Sequence, residues 1–228
     1  MYHRKRQGFG LQLCPYCLQE DVIPFFRKAW RVSFHTICPI HRCMLIDRCP
    51  SCSIGIAFHR VETGVQIIEN LNWSLSACHH CGYEMANSTP EPIRLSVDNV
   101  TSQLHLNLCE QLSHHIYTDL NTFNVMHQLS RLLVSTSTKV RLQEHLCEVL
   151  GHPSLPKKKI RIAIESRPIY ERHHLIMLIL WLMNDLEPRL RTAWRAKSIR
   201  YSHMTKDFSH APAWFDDIVS KFSDWRTA

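Results

Sequence analysis

The chain has 228 residues, enough for one large domain or two small ones, each with room for a core. Six Gly argue against the glycine-rich turns of a barrel, a propeller or a nucleotide-binding loop, and eleven Pro supply many helix starts, so the composition points to a mainly α fold. The net charge of +7 is distributed in blocks, +6 over residues 1–60, −5 over 61–152, +7 over 153–200 and −1 over 201–228, a pattern that suggests separate surfaces for separate partners.

The longest uninterrupted apolar run, Leu175 to Met183, is nine residues. A bilayer needs roughly 20, and no apolar segment follows the basic Arg4-Lys5-Arg6 opening. A cytoplasmic chain with no membrane partner is therefore expected.

Cysteine dominates the first element in chain order. Cys14-Pro15-Tyr16-Cys17, Cys38-Pro39-Ile40-His41, Cys49-Pro50-Ser51-Cys52 and Cys78-His79-His80-Cys81 are four steps of the form ligand-x2-ligand. A two-residue gap lets both donors grip one ion from a tight turn, with Pro fixing the chain after the first Cys and Gly82 supplying a positive φ after the last. Eight donors suit two structural Zn2+. Pairing by nearest neighbour gives Cys14, Cys17, Cys38 and His41 for one site and Cys49, Cys52, Cys78 and Cys81 for the other, while a cross-braced pairing stays open. Seven thiolates and two Zn2+ bring the net charge of the loaded chain down to about +4. Cys43, Cys109 and Cys147 read as buried thiols, with Cys43 close enough to replace His41 as a donor. His79 and His80 are expected to face outward.

The run Cys14-Pro15-Tyr16-Cys17-Leu18-Gln19-Glu20-Asp21, with Arg27, Trp30, Cys38-Pro39-Ile40-His41, Leu45, Ile46, Asp47 and Cys49-Pro50-Ser51-Cys52, resembles the TniQ family of transposition proteins over about residues 11–82. That resemblance implies a target-site adaptor of a Tn7-like or CRISPR-associated transposon. It would join a target-recognising component, either a CRISPR effector complex or attachment-site DNA, to the AAA+ transposition ATPase. It also implies a helical segment ahead of the first finger, whereas Cys14 comes early here, as in a short or truncated member. Partner contacts are expected at Tyr16, Phe25, Phe26 and Trp30, aromatic anchors within the zinc module, with packing of these rings in the finger core as the alternative and the favoured one for Trp30. A homodimer is compatible with this reading.

Beyond the cysteines the apolar spacing turns helical. Leu120, Phe123, Met126, Leu129, Leu132 and Leu133 share one face, and Val140, Leu142, Leu146, Val149 and Leu150 continue after Ser135-Thr136-Ser137-Thr138, which is expected to cap the second helix. Gly151 and Pro153 stop it. This pair is a helix-turn-helix candidate at 119–150, although Lys139 and Arg141 set against Glu144 and Glu148 favour a plain helical hairpin. Ser166 and Pro168 start a buried helix to about Leu186, Pro188 opens a helix carrying Arg189, Arg191, Arg195, Lys197 and Arg200, and Pro212 opens a last one with Trp214, Phe215, Ile218, Val219, Phe222 and Trp225 in a stripe. The expected fold is mainly α with small zinc-ribbon-like elements: a tandem zinc-finger module over 1–90 and an all-helical region over 91–228.

Nucleic-acid backbone contacts are expected from Lys157, Lys158, Lys159, Arg161, Arg189, Arg191, Arg195 and Arg200, in the second basic block, with Arg4 to Arg6 as the next candidates. No G-x-x-x-x-G-K-[ST] or H-E-x-x-H occurs, so no enzymatic activity is expected of the chain itself. The alternative function is a stand-alone zinc-dependent DNA-binding regulator.

Overall fold

A computed structural model describes residues 11–57, 74–93, 97–114, 116 and 119–222. The basic Arg4-Lys5-Arg6 opening and Trp225 lie outside them. Two units form. The first takes residues 1–96, 105–116 and 165–173, and the second takes 97–104, 117–164 and 174–228. The first unit therefore draws on two later segments that a single cut near residue 90 assigns elsewhere. The fold is mostly helical, with one two-stranded sheet among the described residues.

In the first unit, α1 (Pro15–Glu20) is followed by the antiparallel pair β1 (Ile37–Cys38) and β2 (Cys43–Met44), in the register Ile37 to Met44 and Cys38 to Cys43. Leu13 and Ile46 exchange both backbone hydrogen bonds (2.9 Å each), and Leu11 N–H donates to Ile56 C=O (3.1 Å). The core between these strands and turns holds Leu13, Leu18, Trp30, Ile37, Leu45 and Met85, and it is completed by Cys109 and Ile169 from the two later segments.

A buried polar network also belongs to this unit. The Arg172 guanidinium donates to Gln12 Oε1 (2.5 Å) and to Asp47 Oδ2 (3.2 Å), and Gln12 Nε2 donates to the carbonyls of Val32 (2.7 Å) and His35. A charge withdrawn from water is tolerated only when paired, and here Arg172 and Asp47 are both almost fully covered. Beside it, Thr36 Oγ1 lies 3.0 Å from His173 Nδ1 and 3.3 Å from His105 Nε2. Burial first, then the neighbouring His173, pulls the His105 pKa down to about 3, so its ring stays neutral in the core.

The second unit is built from helix faces. Within α3 (Leu120–Leu133), Met126, Leu129, Leu132 and Leu133 are buried as the spacing predicts, while Leu120 is exposed. Its N-terminus is capped by Asp119, which accepts from Asn121 N–H (3.0 Å). α4 (Leu142–Leu150) begins later than expected and has no side-chain cap. The hydroxyls of Ser135 and Ser137 accept instead from the N–H groups of Ser137 (3.3 Å) and Lys139 (3.2 Å), folding the connection into turns. Gly151 ends α4 as expected: at φ 67° it lets His152 N–H reach Cys147 C=O (2.8 Å).

α5 (Ile169–Asn184) contributes residues 174–184 to this unit, where Leu175, Ile176, Leu178, Ile179 and Leu182 are buried. α6 (Leu186–Arg195) starts two residues before Pro188, which sits in its first turn, and it ends before Lys197 and Arg200: Lys197 turns the chain at φ 54° and Arg200 is the N-cap of α7 (Tyr201–Thr205). α8 (Ala213–Ser220) opens after Pro212, with Phe215 and Val219 buried and Trp214 partly exposed. α2 (Asn99–Ser113) falls in the region expected to be helical, though no spacing singles it out, and it starts where Asp98 accepts from Thr101 N–H (2.6 Å).

Removing one partner of a buried ion pair strands the other charge, at a cost of about 3–5 kcal/mol. Asp47→Ala is therefore expected to lower the urea midpoint of the first unit sharply. Equal midpoints for the variant and the parent protein would show that Arg172 is satisfied without it.

Candidate metal centres

Three of the four ligand steps share one turn. After the second donor the chain passes through a left-handed residue whose N–H returns to the carbonyl of the first: Arg42 (φ 48°) to Cys38, Ser53 (φ 60°) to Cys49 and Gly82 (φ 72°) to Cys78, at 2.9 Å in each case. Pairing beyond the turn closes each one, through the Cys38–Cys43 register and through bridges from Arg48 to Gly55 and from Ala77 to Glu84. The first step differs. Cys14 is the N-cap of α1 and Pro15 takes its first helical position, so Cys14 and Cys17 grip from the start of a helix rather than from a hairpin turn.

These turns bring together two donor sets, Cys14, Cys17, Cys38 and His41, and Cys49, Cys52, Cys78 and Cys81, with the donor atoms of each set within 4.8 Å of one another. The pairing is sequential rather than cross-braced. In the first set His41 Nδ1 lies 3.5 Å from Cys14 Sγ, 3.4 Å from Cys17 Sγ and 3.5 Å from Cys38 Sγ, and Cys17 Sγ lies 3.6 Å from Cys38 Sγ. In the second, Cys49 to Cys81 and Cys52 to Cys78 are both 3.7 Å. A tetrahedron with metal–sulfur bonds of about 2.3 Å and metal–nitrogen bonds of about 2.0 Å has S···S edges of about 3.8 Å and S···N edges of about 3.5 Å. Both sets fit one tetrahedral ion, and both supply four protein donors.

The surroundings of the two centres differ. His41 Nε2 faces the Glu20 carboxylate at 2.9 Å, and the Tyr16 ring meets His41 edge-on at 5.6 Å; together these orient the imidazole with Nδ1 toward the sulfurs. The three thiols of this centre are buried. In the second centre Cys52 is half-buried and Cys81 exposed. Cys43, the fourth thiol near the first centre, lies 3.8 Å from Cys14 Sγ but outside the four-donor set. Cys109 and Cys147 are buried, and burial raises their thiols to about 12 and about 11.

Residues 1–45 match the TniQ family model. The TniQ match takes in all four donors of the first centre and ends before Cys49, so the second centre lies beyond it. It associates the chain with transposition in Tn7-like elements. No curated protein and no solved structure matches the chain. Among the described residues, no helix is long and apolar enough to cross a membrane.

The residues that carry the TniQ resemblance have structural roles. Asp21 pairs with Arg27 through two hydrogen bonds (2.9 and 3.0 Å), Arg27 lies over the Trp30 ring at 4.9 Å, and Asp47 holds Arg172. Of the expected partner aromatics, Trp30 is 2% exposed, Phe26 is half-buried and packs edge-on against it, and Tyr16 is half-buried against His41, which leaves Phe25 as the exposed one.

The expected nucleic-acid residues also divide. Lys157 is held by Glu144 (2.9 Å) and by the carbonyls of Ser137 (3.2 Å) and Val140 (2.9 Å). Arg189 stacks on Trp181 at 3.9 Å, and Arg191 pairs with Glu187 at 2.7 Å. Lys158 is half-buried, while Lys159, Arg161, Arg195 and Arg200 are exposed.

If the fourth donor of the first centre is His41, Cys43→Ser keeps the full metal content and Cys38→Ser loses one ion per chain, as read by elemental analysis of the purified variants. Loss of an ion in both variants would put Cys43 in the donor set.

Proposed function

We propose that the chain is a transposition target-site adaptor of a Tn7-like or CRISPR-associated transposon, with two structural Zn2+. The observation that carries this reading is the TniQ match, which covers the whole donor set of the first centre. The metal assignment follows from donor chemistry: seven soft thiolates and one imidazole in tetrahedral sets suit zinc, and four protein donors leave no open position for a catalytic water. In this reading the first unit binds protein, namely the AAA+ transposition ATPase. The second unit touches the DNA or RNA backbone through Lys159, Arg161, Arg195 and Arg200. The target-recognising component, a CRISPR effector complex or attachment-site DNA, completes the bridge.

Metal content tests the first half. Two zinc ions per chain are expected, and a chelator should remove them in two phases, the faster one from the centre with the exposed Cys81. A single phase, or fewer than two ions, contradicts this assignment.

The bridge is tested by capturing the AAA+ ATPase of the same element on the full chain in the absence of long DNA, alongside random-duplex binding over a salt series. Retained capture is expected, with a log–log salt slope that flattens by about 0.9 for each phosphate no longer neutralised in Arg195→Ala and Arg200→Ala. No capture, together with a sequence-specific footprint by the chain alone, would instead identify a regulator.

A further inference from the structure

One surface feature of the first unit that folding leaves unexplained is apolar. Val22 is 100% exposed, Ile23 77%, Phe25 49% and Ile40 67%. Burying each such side chain would stabilise the fold by roughly 1.5–3 kcal/mol, so leaving all four in water needs a reason other than folding.

The loop that carries them is held in place. Asp21 N–H closes the end of α1 on Cys17 C=O (3.1 Å), and the Asp21 carboxylate takes both Arg27 hydrogen bonds across a six-residue span. The same guanidinium lies 4.6 Å from the Phe25 ring centre and 4.9 Å from that of Trp30. Pro24 fixes its own φ in mid-span. Val22 and Ile23 are thus presented outward by a closed loop. The Glu20–His41 contact (2.9 Å) ties the turn that carries exposed Ile40 to the end of α1, where this loop begins.

Exposed cations outnumber exposed carboxylates at the edge of this surface. Lys28 and Arg42 are exposed, and among the described residues no carboxylate lies within ion-pair reach of either. Of the neighbouring acids, Asp21 is paired with Arg27, while the Glu20 side chain is 66% exposed, its carboxylate beside the His41 imidazole. The result is an apolar centre whose margins carry two unpaired cations and one exposed carboxylate.

We propose that this face is the docking site for a segment of a partner protein in which apolar side chains are flanked by Asp or Glu. The proposal rests on the reading of the first unit as the protein-binding side, and it names the surface and the chemistry of the partner. Aliphatic Val22, Ile23 and Ile40 supply contact area that must be desolvated, a use that suits a protein surface and not a phosphate backbone. Lys28 and Arg42 select acidic partners and speed the encounter. The stapled loop lowers the ordering cost of binding.

The test pans the full zinc-loaded chain against a phage-displayed dodecapeptide library and titrates the selected peptides into the chain and its variants. Selected peptides are expected to carry apolar residues flanked by Asp or Glu. They should bind Val22→Asp/Ile23→Asp at least about tenfold more weakly and Arg42→Glu a few-fold more weakly, with zinc content unchanged in both. Peptides without acidic enrichment, or equal binding to the variant, would overturn the proposal. So would a dimer that becomes monomeric in Val22→Asp/Ile23→Asp, because the occupant would then be a second copy. The ATPase arm separates this proposal from the adaptor reading. Equal ATPase capture by the parent chain and the double variant removes the surface and leaves the adaptor. Failed capture by both, with acidic peptides still bound by the parent chain alone, removes the adaptor and leaves the surface.

Discussion

Four donor atoms can surround one ion only if the chain brings two pairs of them to separations under 4 Å, and in this protein that requirement shapes most of the first unit. Each x2 gap must be bent sharply enough that both side chains aim at one point. The backbone accomplishes this in three steps through a left-handed residue after the second donor and in one through a helix start. Only one of the three left-handed positions is Gly82; Arg42 and Ser53 hold the same conformation with a Cβ, at a cost of order 1 kcal/mol or more each. An ion bound by these donors would offset that cost and make folding and metal uptake one equilibrium. The core of Leu13, Leu18, Ile37 and Leu45 surrounds the first centre and depends on its turns for its shape.

How much of this was legible follows from distance along the chain. The donor steps are local patterns, and nearest-neighbour pairing found both sets because the turns stay close in sequence. Helices α3, α4, α5, α6 and α8 announced themselves through apolar spacing or Pro, with errors of a few residues at their starts. The run at 135–138 misled because Ser hydroxyls serve turns as readily as helix caps. α2 gave little apolar periodicity, and its cap at Asp98 was the one available signal. Residue type alone did not decide exposure: Trp30 lies in the core, the alternative favoured for it, while Val22 and Ile23, plain aliphatics outside any motif, are the side chains on the surface.

Charge counting had a similar limit. The excess of Lys and Arg in residues 153–200 is real, yet a good part of it is structural. Lys157 clamps the turn before α4, and Glu187 draws in both Arg191 and Lys221. A block total gives the sign of a region, whereas pairing decides which cations remain for a ligand. Lys159, Arg161, Arg195 and Arg200 form a smaller set than the sequence suggested, and their exposure is what makes them eligible.

The bond from Arg172 to Gln12 spans 160 positions, and that separation sets an order of events during synthesis. At about 5–20 residues per second, on the order of ten to thirty seconds pass between the appearance of Gln12 and that of Arg172. Throughout that interval Asp47 lacks the guanidinium it holds in the finished chain, and Cys109 and Ile169 arrive late as well. The metal turns are complete once Cys81 has emerged, so they are the part of this unit able to organise early. The nascent chain would then carry a loaded but unfinished unit, its core closed last by a segment made long after the one it covers.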